Sequence, residues 1–165
     1  MPEMTTEDHY ASAARRHYDD ARYLCKRKRW PNADHHLGFA AECALKSLLL
    51  RYTEASMNPK PPKGKQANKP WIPKPTGGVQ EYGHLPWSET ELAVLATGRQ
   101  GQHLLAALGD QLSAFANWTE QDRYHHCNHI TQETVTPLHD ATQFILALHE
   151  SARITGTLEV FHERL

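Results

Sequence analysis

The sequence predicts an all-α fold: an antiparallel bundle of four to five helices, formed by a single domain over residues 1–165. Two long stretches in the first third of the chain carry apolar residues at helical spacing, and a short link containing proline joins them. The same spacing returns in the second half of the chain. A chain of 165 residues is also the right length for one domain with its own core.

The strongest helical signal lies at Asn32–Leu50, which we predict to be the central helix. Its apolar residues recur at steps of four, four and three, at Leu37, Ala41, Leu45 and Leu48. Further apolar residues lie on its other faces, so we expect other helices around most of its circumference. Glu42 and Lys46 are the polar exceptions. They form either an ordinary helix-stabilising pair or a polar site inside the bundle.

A first helix is predicted from about Thr6 to Lys28. Pro31 interrupts the pattern, and Trp30–Asn32 is predicted to make a short turn into the central helix. A short link between two long helices makes them antiparallel neighbours. Basic residues at the end of the first helix either complement the helix dipole or contact phosphates. These residues are Arg22, Lys26, Arg27, Lys28 and Arg29.

A long insert rich in proline and lysine, at about residues 55–83, follows the second helix and is predicted to lack regular structure. Trp71 and Ile72 are unusual in so polar a segment. They pin the insert onto the bundle or onto a second subunit, or Trp71 and nearby lysines form an arm that binds single-stranded nucleic acid. Simple disorder is the third interpretation. The lysines of such an arm are Lys60, Lys63 and Lys65.

The second half of the chain predicts the remaining helices. Ser88 and Glu91 have the spacing of a capping box at a helix start. A further run restarts near Gln102, with apolar positions at Leu104, Leu108, Leu112 and Phe115. Thr119 to Asp122 is another candidate cap.

The last helix begins either at Thr136 and Pro137 or nearer Thr131 with a kink, and Gly156 ends it. We expect the tail, residues 156–165, to be extended or to lie against a partner.

Composition excludes several classes of protein. No run approaches the roughly 18–20 apolar residues of a membrane span, and the polar, acidic start is unlike a secretory signal. The odd number of cysteines, three, favours reduced thiols, so we expect a cytoplasmic protein without membrane association. A net charge of −1 does not indicate that the whole molecule binds nucleic acid. The basic clusters indicate such binding only locally.

Several segments together resemble the HEPN domain family. They are Ala21–Leu24 with Asn32 and Ala33, Gly38–Lys46, Trp118, and Arg123 with Tyr124 ahead of a last amphipathic helix. The resemblance covers most of Tyr10–Ile154 except the insert. It implies a small α-helical bundle that forms a homodimer. It is less specific for activity, because the family holds nucleases, inactive relatives and adaptor modules.

Active HEPN ribonucleases carry an arginine, then four to six residues, then a histidine. Arg123 and His129 are separated by five residues, so the resemblance implies a metal-independent endoribonuclease of a toxin or defence system. In that chemistry a 2′-hydroxyl attacks the adjacent phosphorus, His129 moves a proton, and Arg123 stabilises the phosphoryl charge. One such pair from each chain would face the other across the dimer. Tyr124, His125 and Asn128 would contact and orient the RNA.

Two alternatives stay open for the same segment. Arg123 and Tyr124 can simply tie a helix junction together. The protein is then a non-catalytic module that dimerises and binds a nucleotide, an antitoxin or a nucleotidyltransferase-like partner. Alternatively, His125 and His129 can bind zinc with His126 and Cys127, but no second ligand pair at zinc-finger spacing exists. We therefore expect no metal and no other cofactor.

Overall fold

The computed structural model describes residues 3–61, 64–96, 98, 101–126 and 128–160. It is helical for 61% of the chain, which confirms the predicted helical bundle. No helix within the described ranges is long and apolar enough to cross a membrane. The elements are α1 (Thr6–Lys26), α2 (Trp30–Tyr52), β1 (Trp71–Pro73), β2 (Val79–Glu81), α3 (Glu89–Leu92), α4 (Gly101–Leu112) and α5 (Gln132–Thr155).

Helix α2 forms the centre of the bundle, as its apolar pattern predicts. Every position from Ala40 to Leu49 is buried, and α1 and α5 pack along it. The Ser47 hydroxyl donates to Glu7 of α1 at 2.9 Å and lies 2.9 Å from Nε2 of His149 in α5. Burial lowers the pKa of His149, so its imidazole stays neutral in the core. This polar contact therefore joins the three long helices without a buried charge on His149.

The turn between α1 and α2 differs from the prediction. Trp30 and Pro31 belong to the first turn of α2, where a proline needs no amide donor. The chain reverses earlier, at Arg27–Arg29, and Lys28 takes the positive φ of 57° that closes this turn. A proline can break a helix or begin one, and the sequence alone does not distinguish the two at Pro31.

The insert also differs from the prediction, because it contains an antiparallel hairpin of β1 and β2 with Trp71 opposite Glu81. Trp71 is buried within the insert, and its indole donates to the Asn58 carbonyl at 2.8 Å. Ile72 packs against the core of the bundle. Lys60 and Lys69 form ion pairs with Glu81. Glu81 follows residues 55–80 of the insert, which contain no acidic residue.

In the second half of the chain, the structure confirms most of the predicted helix boundaries. The capping box of Ser88 and Glu91 is present, but α3 is only one turn long and passes into a 3-10 turn. Helix α4 begins at Gly101 and buries the predicted leucines. The prediction of a helix start at Thr136 is wrong. α5 begins after Thr131 and keeps Pro137 inside it, which was the alternative.

A loop and a 3-10 turn (Asp122–Tyr124) connect α4 to α5, and Trp118 fixes this connection to the central helix. The indole lies against Gly38, where a Cβ atom would sit 2.0 Å from the ring. Its Nε1 donates to the carbonyl oxygen of Asp34 at 3.1 Å. Phe39 meets the indole edge-on, with ring centroids 5.7 Å apart. Glycine is therefore required at position 38 by this close approach.

Replacing Gly38 with alanine is expected to destabilise the protein strongly, because the new methyl group overlaps the buried indole. We expect Gly38→Ala to lower the free energy of unfolding by about 1–3 kcal/mol or more, measured by urea unfolding. The matched control is Gly109→Ala in α4, where nothing lies within 4 Å of the added Cβ. The control should instead gain about 0.5–1 kcal/mol from helix propensity. Equal effects of the two changes would contradict the close packing of Trp118.

Candidate functional site

The candidate site is built on the turn that follows Trp118. Asp122, which is buried, accepts hydrogen bonds from the Thr119 amide at 3.0 Å and from the Thr119 hydroxyl at 3.3 Å. These bonds close the turn from Thr119 to Asp122 that leads into the 3-10 turn, at the spacing that suggested a cap. Because the carboxylate is used as a cap, its position relative to the turn is fixed. It therefore provides a rigid base for the polar side chains that follow.

Two histidines converge next to this carboxylate. Nδ1 of His125 lies 3.2 Å from Oδ1 of Asp122, and the rings of His125 and His129 meet edge-on with centroids 4.6 Å apart. Both side chains are exposed to solvent. A carboxylate that binds Nδ1 fixes the ring orientation and leaves Nε2 free to exchange a proton with a substrate. The structure thus makes His125 as strong an acid–base candidate as His129.

The two imidazoles line a cavity of about 530 Å³, within the size range of small-molecule sites. It lies between the N-terminal part of α2, the connection before α5 and the first turns of α5. Its walls are part apolar, from Ile130 and Leu138, and part polar. The polar side chains that line it are Asp34, Asn117, Thr119, Asp122, His125, His129 and Thr134.

Asp34 is the member of this cavity that sequence reasoning missed. It is 1% exposed, and no donor group of the described residues bonds to its Oδ2, but its carboxyl lies within hydrogen-bond reach of the Asp122 carboxyl. Burial, followed by the nearby Asp122 carboxylate, raises the pKa of Asp34 to about 7. In the predicted helix, which begins at Asn32, Asp34 falls in the first turn, where the helix dipole is the usual explanation of an aspartate. The sequence therefore carries no distinct signal for it.

Arg123 is exposed but does not line the cavity that His129 lines. Its guanidinium lies over the Tyr124 ring, 4.6 Å from the centroid, and Nη2 donates to the Tyr124 hydroxyl at 2.7 Å. Both members of the pair that the resemblance implies are therefore exposed, but only His129 lines the cavity. Asn128 is exposed, and its backbone N–H donates to Nδ1 of His126 at 3.2 Å.

The structure does not present Trp71 and Lys60 of the insert as the exposed nucleic-acid-binding arm that was predicted. Trp71 is only 8% exposed, so it offers no free face for stacking on a base. Lys60 is held by Glu81, whereas Lys65 is exposed. Lys63 lies outside the described residues. The sequence did not indicate this pairing, because Glu81 lies near the end of the insert, 21 residues after Lys60.

A second polar cluster surrounds Phe39 on the outer face of α2. The rings of His17, His35 and His84 contact the Phe39 ring, with centroids 4.7–5.7 Å apart. Nδ1 of His17 lies 3.0 Å from Nδ1 of His36. Burial, followed by the positive charges of His36 and Arg123, lowers the pKa of His35 to about 4. His35 is therefore neutral at physiological pH, and the rings of the cluster pack together α1, α2 and the loop before α3.

The Glu42–Lys46 pair is the polar site inside the bundle that the sequence left as an alternative. Both side chains are buried, and Lys46 Nζ lies 2.6 Å from Glu42 Oε1. The other carboxylate oxygen accepts from His84 Nδ1 at 3.0 Å and from the Leu85 amide at 3.3 Å. Both carboxylate oxygens of Glu42 are thus hydrogen-bonded, and Glu42 ties the loop before α3 to the central helix.

Within the described ranges, no group of three or more histidine, cysteine, aspartate or glutamate side chains has the geometry of a metal site. Cys127, which belongs to the zinc alternative, lies outside those ranges. Cys25 and Cys43 are free thiols, and burial raises the pKa of Cys43 to about 11.

In comparisons with known proteins, no family model, no curated protein and no solved structure matches the chain.

The buried carboxyl of Asp34 should make stability depend on pH in a specific direction. Its pKa in the folded protein, about 7, lies above the ordinary value near 4, so stability falls as pH rises between these values. Each tenfold change in the ionisation constant costs about 1.4 kcal/mol. We expect Asp34→Asn to be more stable than the wild type at pH 8, with a difference that shrinks toward pH 4.

Urea unfolding at several pH values measures this difference. The control is Asp19→Asn on the exposed face of α1, which should show no such trend. A constant difference between Asp34→Asn and the wild type across this pH range would show that Asp34 is ionised normally.

Proposed function

We propose that this chain is a metal-independent endoribonuclease that acts on RNA as a homodimer, in a toxin or defence system. The observation that carries the proposal is the His125–His129 ring pair at a cavity, with His125 oriented by the Asp122 carboxylate. The resemblance to HEPN ribonucleases supports the same segment and supplies the dimer and the biological setting. Exposed Arg123 lies on the turn that carries this arrangement.

Two imidazoles provide the two proton transfers that RNA cleavage requires. One neutral ring accepts the proton of the 2′-hydroxyl while its oxygen attacks the adjacent phosphorus. The other ring, protonated, gives its proton to the departing 5′-oxygen. The bond from phosphorus to the 5′-oxygen breaks, and a 2′,3′-cyclic phosphate and a 5′-hydroxyl remain. We assign His125 and His129 to these roles, and Asp122 to positioning His125.

Arg123 supplies the positive charge for the phosphoryl oxygens. In the structure its guanidinium is satisfied by the Tyr124 ring and hydroxyl. Because both side chains are exposed, a phosphate can replace the hydroxyl as the acceptor without opening the core. Tyr124 thereby holds Arg123 beside the cavity until RNA binds.

The basic turn between α1 and α2 supports an RNA substrate. Lys26 shares a cavity with Gln132 and Thr136 of α5, and the candidate site is lined by Thr134 and Leu138 of the same helix. The basic turn and the site therefore lie at the same end of the bundle. Positive charge at that end can contact the phosphates that flank the cut position.

The second candidate function is a non-catalytic module that binds a nucleotide, an antitoxin or a nucleotidyltransferase-like partner. One observation favours it: the Arg123 guanidinium is engaged by Tyr124 rather than directed into the cavity of His129. In this function Arg123 and Tyr124 stiffen the connection to α5, and the histidines contact the partner without transferring protons.

Cleavage of a mixed RNA pool in EDTA distinguishes the two functions. We expect the wild type to produce fragments with 2′,3′-cyclic phosphate ends. Loss of either imidazole, in His125→Ala or His129→Ala, should lower the rate by about 10²–10⁴-fold. Arg123→Ala should lower it by about 10²–10³-fold.

The control is His9→Ala, an exposed histidine of α1, which should cleave at the wild-type rate. Circular dichroism verifies that each variant is folded. No cleavage by the folded wild type, or equal rates in all four variants, would rule out the nuclease and leave the binding module.

A further inference from the structure

The turn between α1 and α2 concentrates positive charge that the fold does not neutralise. Residues 22–29 contain five basic side chains and no acidic one, and all five are exposed. In the described part of the chain, the ion pairs of lysine and arginine lie elsewhere, at Lys46, Arg51, Lys60 and Lys69. The five side chains of this basic turn are Arg22, Lys26, Arg27, Lys28 and Arg29.

Two of these residues oppose the local structure. Lys28 takes a φ of 57°, which a glycine adopts without strain and a lysine does not. Arg29 is the N-cap residue of α2, and its side chain makes no capping hydrogen bond. Its charge lies at the positive end of the helix dipole, where an acidic residue would be favoured. Because sequences that break local rules do so mainly at functional sites, these two side chains indicate a binding surface.

An exposed aromatic ring lies among these charges. Tyr23 is 59% exposed, and the Arg27 guanidinium lies over its ring, 5.3 Å from the centroid. The guanidinium restrains the ring from one face, so the ring is held in place while much of it stays open to solvent. A restrained, exposed ring beside basic side chains is a platform on which a base can stack.

The combination of ring and charge selects the kind of partner. The bases of a duplex are stacked on one another, whereas an unpaired strand presents its bases and its phosphates together. A membrane surface would require several exposed apolar side chains beside the charges. Tyr23 is the only large apolar side chain of residues 22–29 that is exposed. The turn therefore fits a single strand of nucleic acid better than a duplex or a lipid surface.

We propose that the basic turn and Tyr23 bind single-stranded RNA, with a base stacked on the Tyr23 ring and adjacent phosphates on Lys26, Lys28 and Arg29. This inference rests on the proposed function in that the bound strand is the RNA substrate. Because the turn lies at the same end of the bundle as the histidine pair, it holds the strand beside the cut position. The enzyme therefore selects unpaired RNA over duplex RNA.

Binding to a strand that cannot be cleaved tests this surface separately from catalysis. The probe is a fluorescein-labelled 2′-O-methyl RNA of about twelve nucleotides, whose length falls within the usual site sizes for single strands. It lacks the 2′-hydroxyl that attacks the phosphorus. In EDTA, fluorescence anisotropy should show that the single strand binds more tightly than its duplex, by about tenfold or more.

Two variants separate the phosphate contacts from the stacking. Lys28→Gly should lower the slope of log K against log salt by about 0.7, the value of one phosphate contact on a single strand. It should not reduce stability in urea unfolding, because glycine relieves the backbone strain. Tyr23→Ala should weaken binding by about tenfold and leave the salt slope unchanged, whereas Tyr23→Phe should bind like the wild type.

The matched control for charge is Lys74→Ala, an exposed lysine in the hairpin of the insert, which should keep both the affinity and the slope. Equal binding of single strand and duplex, no binding, or unchanged binding in both Lys28→Gly and Tyr23→Ala would overturn the surface. Stronger binding to phosphatidylserine vesicles, measured by co-sedimentation, would overturn it in favour of a membrane.

The surface and the nuclease can fail separately. RNA cleavage by a wild type whose strand binding is unaffected by these variants would leave the nuclease standing without this surface. Conversely, the expected binding pattern in a protein that cleaves no RNA would support the surface and refute the nuclease.

Discussion

The contact between the Trp118 indole and Gly38 is the constraint on which the rest of the site depends. It brings together residues that are far apart in the chain, since the indole N–H bonds to a carbonyl 84 positions earlier. The indole occupies the space that any side chain at position 38 would need. Because this contact seats the connection between α4 and α5 on the central helix, the Asp122 turn and both histidines have fixed positions. A loop without such an anchor would hold its polar side chains in many arrangements.

The same contact explains why a buried carboxyl faces the histidines. Asp34 lies near the N-terminal end of α2, and its own backbone carbonyl receives the indole N–H. Seating Trp118 there places Asp34 and Asp122 near each other, and burial raises the pKa of Asp34 to about 7. Placing Asp34 in the protein interior beside a second carboxyl lowers the stability of the fold, because the ionised form of Asp34 is disfavoured there. Such arrangements concentrate at functional sites, where a ligand can use them. The Glu42–Lys46 pair differs, because all of its strong acceptors are paired within the fold.

The helices were predictable from the sequence because their signals are local. The apolar spacing of α2, the capping box at Ser88 and the glycine at 156 each depend on neighbouring residues. The insert was predicted less well, since its hairpin depends on Trp71 being buried and on Glu81, which lies beyond the lysine-rich stretch. Part of the candidate site was expected, because the segment from Asp122 to His129 stood out by the spacing of Arg123 and His129. Asp34 could not be assigned to it, because only the tertiary contact of Trp118 brings α2 there.

Hydrogen exchange of the Trp118 indole N–H, followed by NMR, tests this constraint most directly. If the indole anchors the connection, its N–H should exchange only when the whole protein unfolds, with the same opening free energy as the amides of α2. The indole of Trp87, bonded to the Gly83 carbonyl at 3.3 Å in the loop before α3, provides an internal comparison. Fast exchange at Trp118 while the amides of α2 stay protected would contradict the account. The segment with the histidines would then be a loop that opens independently of the bundle.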